Sequence, residues 1–162
     1  MKQKRKILWV EDEARHDMVQ LIAPVIMDGG YDIVVAENAS DGIAQLLQYK
    51  FEAIIVDIRI PPGDDPAWID LYEKSGKEKV AARLGRHFLY TILGNPNAKI
   101  NLGEKRPKWI TSEMIGLLTV ETDPELADDL KALVLNVYYQ KGAETPETIL
   151  LDIIKEINDQ NM

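Results

Sequence analysis

Acidic residues stand at the ends of two short apolar runs, where buried strands are expected to stop. The first run is Lys6–Val10, and the second is Phe51–Asp57. The acids at these two points are Glu11, Asp12, Glu13 and Asp57. Clustered carboxylates repel one another, and Mg²⁺, which prefers oxygen ligands, would relieve that repulsion. A carboxylate can also act as a nucleophile and accept a phosphoryl group.

A hydroxyl group and a lysine are predicted to reach the same place. Thr111 ends a predicted strand, Lys108–Thr111, and Lys141 follows another, Leu135–Tyr139. In a parallel sheet, ligands bind outside the carboxyl ends of the strands. A metal ion, an ammonium group and a hydroxyl donor could there neutralise a phosphoryl group under attack. Taken singly, each of these residues could instead be a helix cap, a turn residue or an ordinary surface side chain.

Strand and helix patterns alternate along the chain. Asp32–Ala36 is a predicted strand between two helical patterns, Ala14–Met27 and a second helix capped by Ser40 or Asp41. Pro24 inside the first helix predicts a kink or a break. With the runs named above, this gives five strands and at least five helices. Such alternation predicts an α/β fold, with a parallel sheet and helices on both faces.

The ordered set of motifs resembles the receiver domain of two-component response regulators. The matching stretches are Ile7–Glu13, Ala53–Pro61, Trp109–Ser112 and Tyr138–Lys141. The resemblance is close over residues 5–60 and looser over 107–160. It implies a flavodoxin-like, doubly wound (CheY-like) sheet of five parallel strands in the order 2-1-3-4-5.

The resemblance also implies a role for each site residue. Asp57 would be the phosphoacceptor, Asp12 the direct Mg²⁺ ligand, and Glu11 would act mainly through water. The backbone carbonyl of Arg59 would complete the protein's share of the metal shell. The remaining roles are a switch hydroxyl for Thr111, a switch aromatic ring for Tyr138 and a phosphoryl contact for Lys141.

The chain departs from the family pattern after the lysine and after the threonine. Gly142 replaces the usual proline, and Ser112 replaces the usual small alanine. Arg59 and Glu113 occupy the two positions that tune the lifetime of the phosphoryl group in the family. We therefore expect Arg59 and Glu113 to pair across the mouth of the pocket and to slow the access of water.

An insertion at about residues 61–107 is the largest departure. Residues 61–108 carry nine basic and six acidic side chains, whereas the whole chain has a net charge of −8. Val80, Leu84, Phe88 and Ile92 are spaced as the apolar face of one helix within a helical segment from Lys77 to Leu93. Two interpretations follow: a lengthened helix and loop packed on the sheet, or a surface that docks a partner or a second copy. We expect His87 here, and His16 near the acids, to have ordinary surface or packing roles.

Composition excludes several classes of function. The 162 residues include 27 acidic and 19 basic ones and no cysteine. The absence of cysteine rules out a disulfide scaffold, a thiol nucleophile and a cysteine-ligated metal. The acidic balance disfavours direct nucleic-acid binding, which needs a basic face. The basic start precedes only four apolar residues, too few for an export signal, so we expect a cytoplasmic protein without a membrane segment.

The resemblance implies a single receiver domain over residues 1–162. A histidine kinase or a histidine phosphotransfer protein would donate a phosphoryl group to Asp57 with Mg²⁺ present. Output would be contact with a downstream protein, or self-association. Such a domain is not an enzyme but promotes its own phosphorylation and dephosphorylation. The alternatives are a pseudo-receiver that is never phosphorylated, or an aspartyl phosphatase or phosphotransferase, which commonly needs a second acid where this chain has Arg59.

Overall fold

A five-stranded parallel sheet forms the centre of the computed structural model, which describes residues 3–12 and 14–160, with side chains for 3–12 and 20–160. The strands are β1 (Arg5–Val10), β2 (Tyr31–Ala36), β3 (Ala53–Val56), β4 (Ile115–Thr119) and β5 (Val137–Gln140). Their order is β2-β1-β3-β4-β5, and every neighbouring pair is parallel. The predicted fold class and strand order are confirmed.

Helices connect the strands and cover the sheet. They are α1 (Ala14–Asp28), α2 (Ala39–Gln48), α3 (Pro66–Lys74), α4 (Lys79–Ala82), α5 (Leu84–Ile92), α6 (Asp123–Ala132) and α7 (Ile149–Gln160). Helix α1 continues through Pro24, so no break occurs there. Within the described residues, no helix is both long and apolar enough to cross a lipid bilayer.

The central strands are buried on both faces, as parallel strands under two helical layers must be. Ile7–Val10 and Ala53–Val56 are almost entirely inaccessible to solvent. Val10 is opposite Val56, so Glu11 and Asp57 leave the sheet side by side. The apolar runs therefore fix where the acids emerge.

The fourth strand lies later in the chain than the sequence pattern predicts. Lys108–Thr111 is not a strand, and β4 begins only at Ile115, after a 3₁₀ turn over Ser112–Met114. The strand contains Gly116, which lowers local strand propensity. However, a Cβ at Gly116 would lie 2.7 Å from the Ile153 side chain of α7. The missing side chain at Gly116 therefore makes room for α7. The strand lies within the apolar run Ile115–Val120, which ends at Glu121.

The long helix predicted from Lys77 to Leu93 is divided at Arg83. Arg83 has φ 46° and ψ 50°, the left-handed conformation, which ends α4 and precedes α5. Leu84, Phe88 and Ile92 are buried as predicted, but Val80 is 58% exposed. The apolar stripe thus belongs to α5 alone, and α4 is a separate short helix.

Gly85 allows α5 to approach the strand that carries Asp57. Its amide donates a hydrogen bond to the Ile58 carbonyl at 2.9 Å. A Cβ at this position would lie 2.2 Å from the Asp57 carbonyl oxygen and 2.5 Å from the Ile58 Cα. Only a residue without a side chain fits between the helix and this backbone.

We predict that Gly85→Ala lowers the free energy of unfolding by about 3 kcal/mol, since the clash is with rigid backbone. Urea unfolding followed by far-UV circular dichroism measures the change. Gly142→Ala is the matched control, because a Cβ at Gly142 meets nothing within 4 Å. Equal stability of the two variants would contradict the proposed close approach.

Candidate functional site

Three carboxylates meet at the carboxyl edge of the sheet. Glu11, Asp12 and Asp57 offer oxygen atoms that all lie within 4.8 Å of one another. Glu11 is fully buried and Asp57 is 4% exposed. Their positions follow from β1 and β3, which end next to each other. Glu13, predicted to join them, lies outside the described residues.

Lys141 provides a positive charge beside two of these acids. Its ammonium group lies 2.5 Å from Glu11 Oε2 and 3.3 Å from Asp57 Oδ2. Burial lowers the pKa of Lys141, but Asp57 and Glu11 more than offset this, so the pKa is raised above its usual value. Lys141 therefore stays charged at neutral pH, and the structure brings it together with Glu11 and Asp57 as the sequence predicted.

Thr119, and not Thr111, is the threonine at the carboxyl edge of the sheet. Because β4 ends at Thr119, Thr111 precedes the strand on the opposite side of the sheet, where it is exposed. The Lys141 amide donates a hydrogen bond to the Thr119 carbonyl at 2.7 Å. Expecting Thr111 at this edge was wrong, and Val120 replaces Ser112 as the residue after the threonine. Thr119 is closer to Lys141 in the sequence than Thr111 is, and this shorter separation could have identified Thr119 from the sequence.

Comparison with solved structures gives the same architecture. The chemotaxis response regulator CheY4 of Vibrio cholerae superposes with a TM-score of 0.60 at 19% identity, covering 96% of this chain and 99% of that one. A CheY-like response regulator receiver domain protein of Methanospirillum hungatei JF-1 gives a TM-score of 0.59 at 18% identity, covering 98% of each. The chain has the receiver-domain fold of response regulators. At these identities the likeness concerns the fold.

One curated relative supports the receiver fold from the sequence side. A response regulator receiver protein of Anaeromyxobacter sp. (strain Fw109-5) is 32% identical over 57 residues. The match covers 35% of this chain and 23% of that protein, less than a quarter of its length. No family model matches the chain.

Arg59 pairs with Glu121 instead of the predicted Glu113. Its Nε atom lies 3.4 Å from Glu121 Oε2, and its amide donates to Asp57 Oδ1 at 3.4 Å. Glu113 is exposed in the 3₁₀ turn before β4. The error follows from the misplaced strand, because Glu121 stands two residues after Thr119 as Glu113 does after Thr111.

In the loop after β5, Gly142, which stands where the family usually has proline, makes a backbone hydrogen bond. The Gly142 amide donates to the Thr145 hydroxyl at 2.7 Å, a bond that proline could not make. In β5 itself, the Tyr138 hydroxyl donates to the Glu121 backbone carbonyl. Tyr138 thus connects the fifth strand to the segment that follows Thr119.

The insertion places basic side chains against acidic side chains from the rest of the domain. Lys79 of α4 contacts Asp12, and the guanidinium of Arg83 lies 2.6 Å from Glu121 Oε1. These contacts favour the packed interpretation of the insertion, since at least these two cations are engaged within the chain. Both pairs join residues that are far apart in the chain, so the sequence did not predict them, although basic residues recur at helical spacing here.

The two histidines lie in different settings. His87 of α5 lines a cavity of about 500 Å³ together with Arg86 and Lys99. Burial, followed by the charges of Arg86 and Lys99, lowers the pKa of His87, so the ring is neutral at pH 7. A packing role fits this position. The side chain of His16 lies outside the described residues.

The donor set at the sheet edge fits a hard divalent cation. Three carboxylates within reach of one another supply oxygen ligands, and two of them are buried. Magnesium needs only one or two protein carboxylates and otherwise keeps water. The residues are therefore chemically suited to Mg²⁺, and Asp57 is part of the same cluster.

Asp129 of α6 is held by two side chains of α5. Arg86 reaches it with two nitrogen atoms at 2.6 and 2.9 Å, and the Tyr90 hydroxyl donates to it at 2.9 Å. Burial favours the neutral acid, but the hydrogen bonds from Arg86 and Tyr90 outweigh it and lower the pKa of Asp129 below its ordinary 3.8. The charged carboxylate therefore stabilises the folded state.

We predict that Asp129→Asn lowers the free energy of unfolding at pH 7 by about 2 kcal/mol, as expected for a hydrogen bond between charged groups. Because the folded pKa is the lower one, this stabilisation is complete above about pH 4 and disappears as the pH falls through the folded pKa. Urea unfolding between pH 7 and pH 3 should show that the difference in free energy of unfolding between the wild type and Asp129→Asn becomes smaller as the pH falls. Exposed Asp128→Asn is the control, and a pH-independent difference would contradict the assignment.

Proposed function

We propose that the chain is a phosphoacceptor receiver domain of a two-component or phosphorelay system. The observation that supports this most strongly is the convergence of Glu11, Asp12, Asp57 and Lys141 on one edge of a receiver fold. Burial of Asp57 beside a lysine suits a carboxylate that must react in a low-dielectric pocket. The phosphoryl donor would be a histidine kinase or a histidine phosphotransfer protein.

The proposed reaction transfers a phosphoryl group to a carboxylate oxygen of Asp57. The bond from phosphorus to the donor nitrogen breaks as the bond to oxygen forms, and the donor nitrogen retains the electron pair. Lys141, already 3.3 Å from Asp57, would contact the phosphoryl oxygens. Glu11, Asp12, Asp57 and the Arg59 carbonyl would hold Mg²⁺, which supplies charge neutralisation at the equatorial oxygens.

Thr119 is proposed as the hydroxyl that responds to phosphorylation. It is fully buried at the end of β4, and its Oγ1 accepts a hydrogen bond from the Glu121 amide at 3.4 Å. Donation from this hydroxyl to a phosphoryl oxygen would reposition Glu121. Tyr138, bonded to the Glu121 carbonyl, would carry the change to β5. Output would then be a population shift at the surface formed by α6, β5 and α7, which a downstream protein or a second copy reads.

Glu121 also connects the insertion to this switch. Its buried carboxylate is shared by Arg59 and Arg83, at 3.4 and 2.6 Å. We propose that this cluster shields the pocket from water, the task first assigned to a pair of Arg59 with Glu113. The single-domain organisation over residues 1–162 is part of the same proposal.

We predict that acetyl phosphate with Mg²⁺ labels the protein at one site, giving an adduct stable to acid and labile to base. Intact mass spectrometry should show one added phosphoryl group, and Asp57→Asn should abolish it. Absence of the adduct from the wild type would favour the pseudo-receiver alternative. Repeated turnover of a phosphorylated substrate would instead favour a phosphatase or phosphotransferase.

We predict that Thr119→Val slows this labelling about 3- to 10-fold, the effect of losing one hydrogen bond to a charged group. Thr119→Ser, which keeps the hydroxyl, should remain near the wild-type rate. Thr111→Val is the matched control for the rejected position and should have no effect. A rate loss with Thr111→Val but not Thr119→Val would reverse the assignment.

A further inference from the structure

Helix α4 brings a cation from the insertion to the proposed metal site. Lys79, its first residue, makes a salt bridge to Oδ2 of Asp12, one of the three clustered carboxylates. The Asp12 side chain is 17% exposed and that of Lys79 is 38% exposed, so the pair is in partial contact with solvent. Lys141 contacts the other two acids, so all three carboxylates have a lysine partner.

Two strained residues bracket α4. Lys77 has φ 63° and Arg83 has φ 46°, and Gly76 before them has φ 118°. A non-glycine residue in the left-handed region persists only where its surroundings enforce it. Arg83 is enforced by Glu121 and by the Glu125 carbonyl, to which its guanidinium donates at 3.2 Å.

Little apolar packing holds α4 in place. Ala82 is its buried residue, whereas Val80 is 58% exposed. The position of the helix therefore depends strongly on its charged contacts, Lys79 with Asp12 and the adjoining Arg83 with Glu121. A change in the charge at Asp12 acts directly on one of these contacts.

We infer that Lys79 is a built-in competitor of the divalent cation, occupying the Asp12 carboxylate until the metal displaces it and releases α4. The inference rests on the proposed function only in taking Glu11, Asp12 and Asp57 as the metal site. An ammonium group and a divalent cation repel each other, so binding of one at this carboxylate disfavours the other. Lys79 would thereby set the metal concentration at which the receiver becomes competent for phosphorylation.

Isothermal titration of the unphosphorylated protein with MgCl₂ tests the competition. Lys79→Gln should bind Mg²⁺ about 3- to 10-fold more tightly than the wild type, because the competing charge is gone. Lys79→Arg keeps the charge and should bind as the wild type does. Lys108→Gln, which removes an exposed charge from the loop before β4, is the charge-matched control and should leave the affinity unchanged.

Amide hydrogen exchange of the wild-type protein provides a measurement that does not depend on any variant. Saturating Mg²⁺ should raise the exchange of the Ala82 and Arg83 amides, which donate to the Glu78 and Lys79 carbonyls, since displaced α4 loses one of its anchoring contacts. Unchanged exchange there would overturn the inference. So would an affinity for Lys79→Gln equal to, or weaker than, that of the wild type.

The failure of this inference is distinct from the failure of the proposed function. If the wild type binds Mg²⁺ and Asp12→Asn does not, while Lys79→Gln leaves the affinity unchanged, the metal site stands and the competition is overturned. If neither the wild type nor Lys79→Gln binds Mg²⁺, both the metal site and the competition are overturned.

Discussion

Negative charge at the carboxyl edge of the sheet is the constraint to which the rest of the structure responds. Glu11 and Asp57 are nearly inaccessible to solvent because the strands that carry them lie between two layers of helices. A buried carboxylate without a cation costs several kcal/mol. The chain therefore brings cations to this edge from distant segments, Lys141 from the loop after β5 and Lys79 from the insertion.

The basic side chains of the insertion neutralise acidic side chains from the rest of the domain. They meet these acids in a consistent order: Lys79 with Asp12, Arg83 with Glu121 and Arg86 with Asp129. The apolar face of α5 packs at the same time, so one segment supplies both burial and charge. Three of the nine basic residues in this segment therefore pair with acids from other parts of a chain whose net charge is −8. The basic residues offset the acids that the fold concentrates nearby.

The sequence was sufficient where local pattern and tertiary structure agree. Apolar runs ending in acids correctly located β1 and β3, because such strands are buried throughout and polar residues begin where they emerge. For β4 the same kind of pattern was present but weaker, because the apolar run Ile115–Val120, which ends at Glu121, contains Gly116, and glycine lowers strand propensity. The fit of Gly116 against Ile153 of α7 is visible only in the folded structure. Because β4 was predicted too early in the chain, Thr111 was expected where Thr119 lies. For the same reason Glu113, and not Glu121, was expected to pair with Arg59.

The contact of α4 with the acidic cluster could not be predicted from the sequence. Lys79 and Asp12 are 67 residues apart, and the left-handed Arg83 that positions α4 interrupts what reads as one continuous helix. Lys79, Arg83 and Arg86 still keep a helical spacing, so the basic stripe was visible although its target was not. A cation recruited to stabilise buried acids necessarily opposes any other cation there. The interaction that stabilises this fold therefore also acts on the metal affinity of its proposed site.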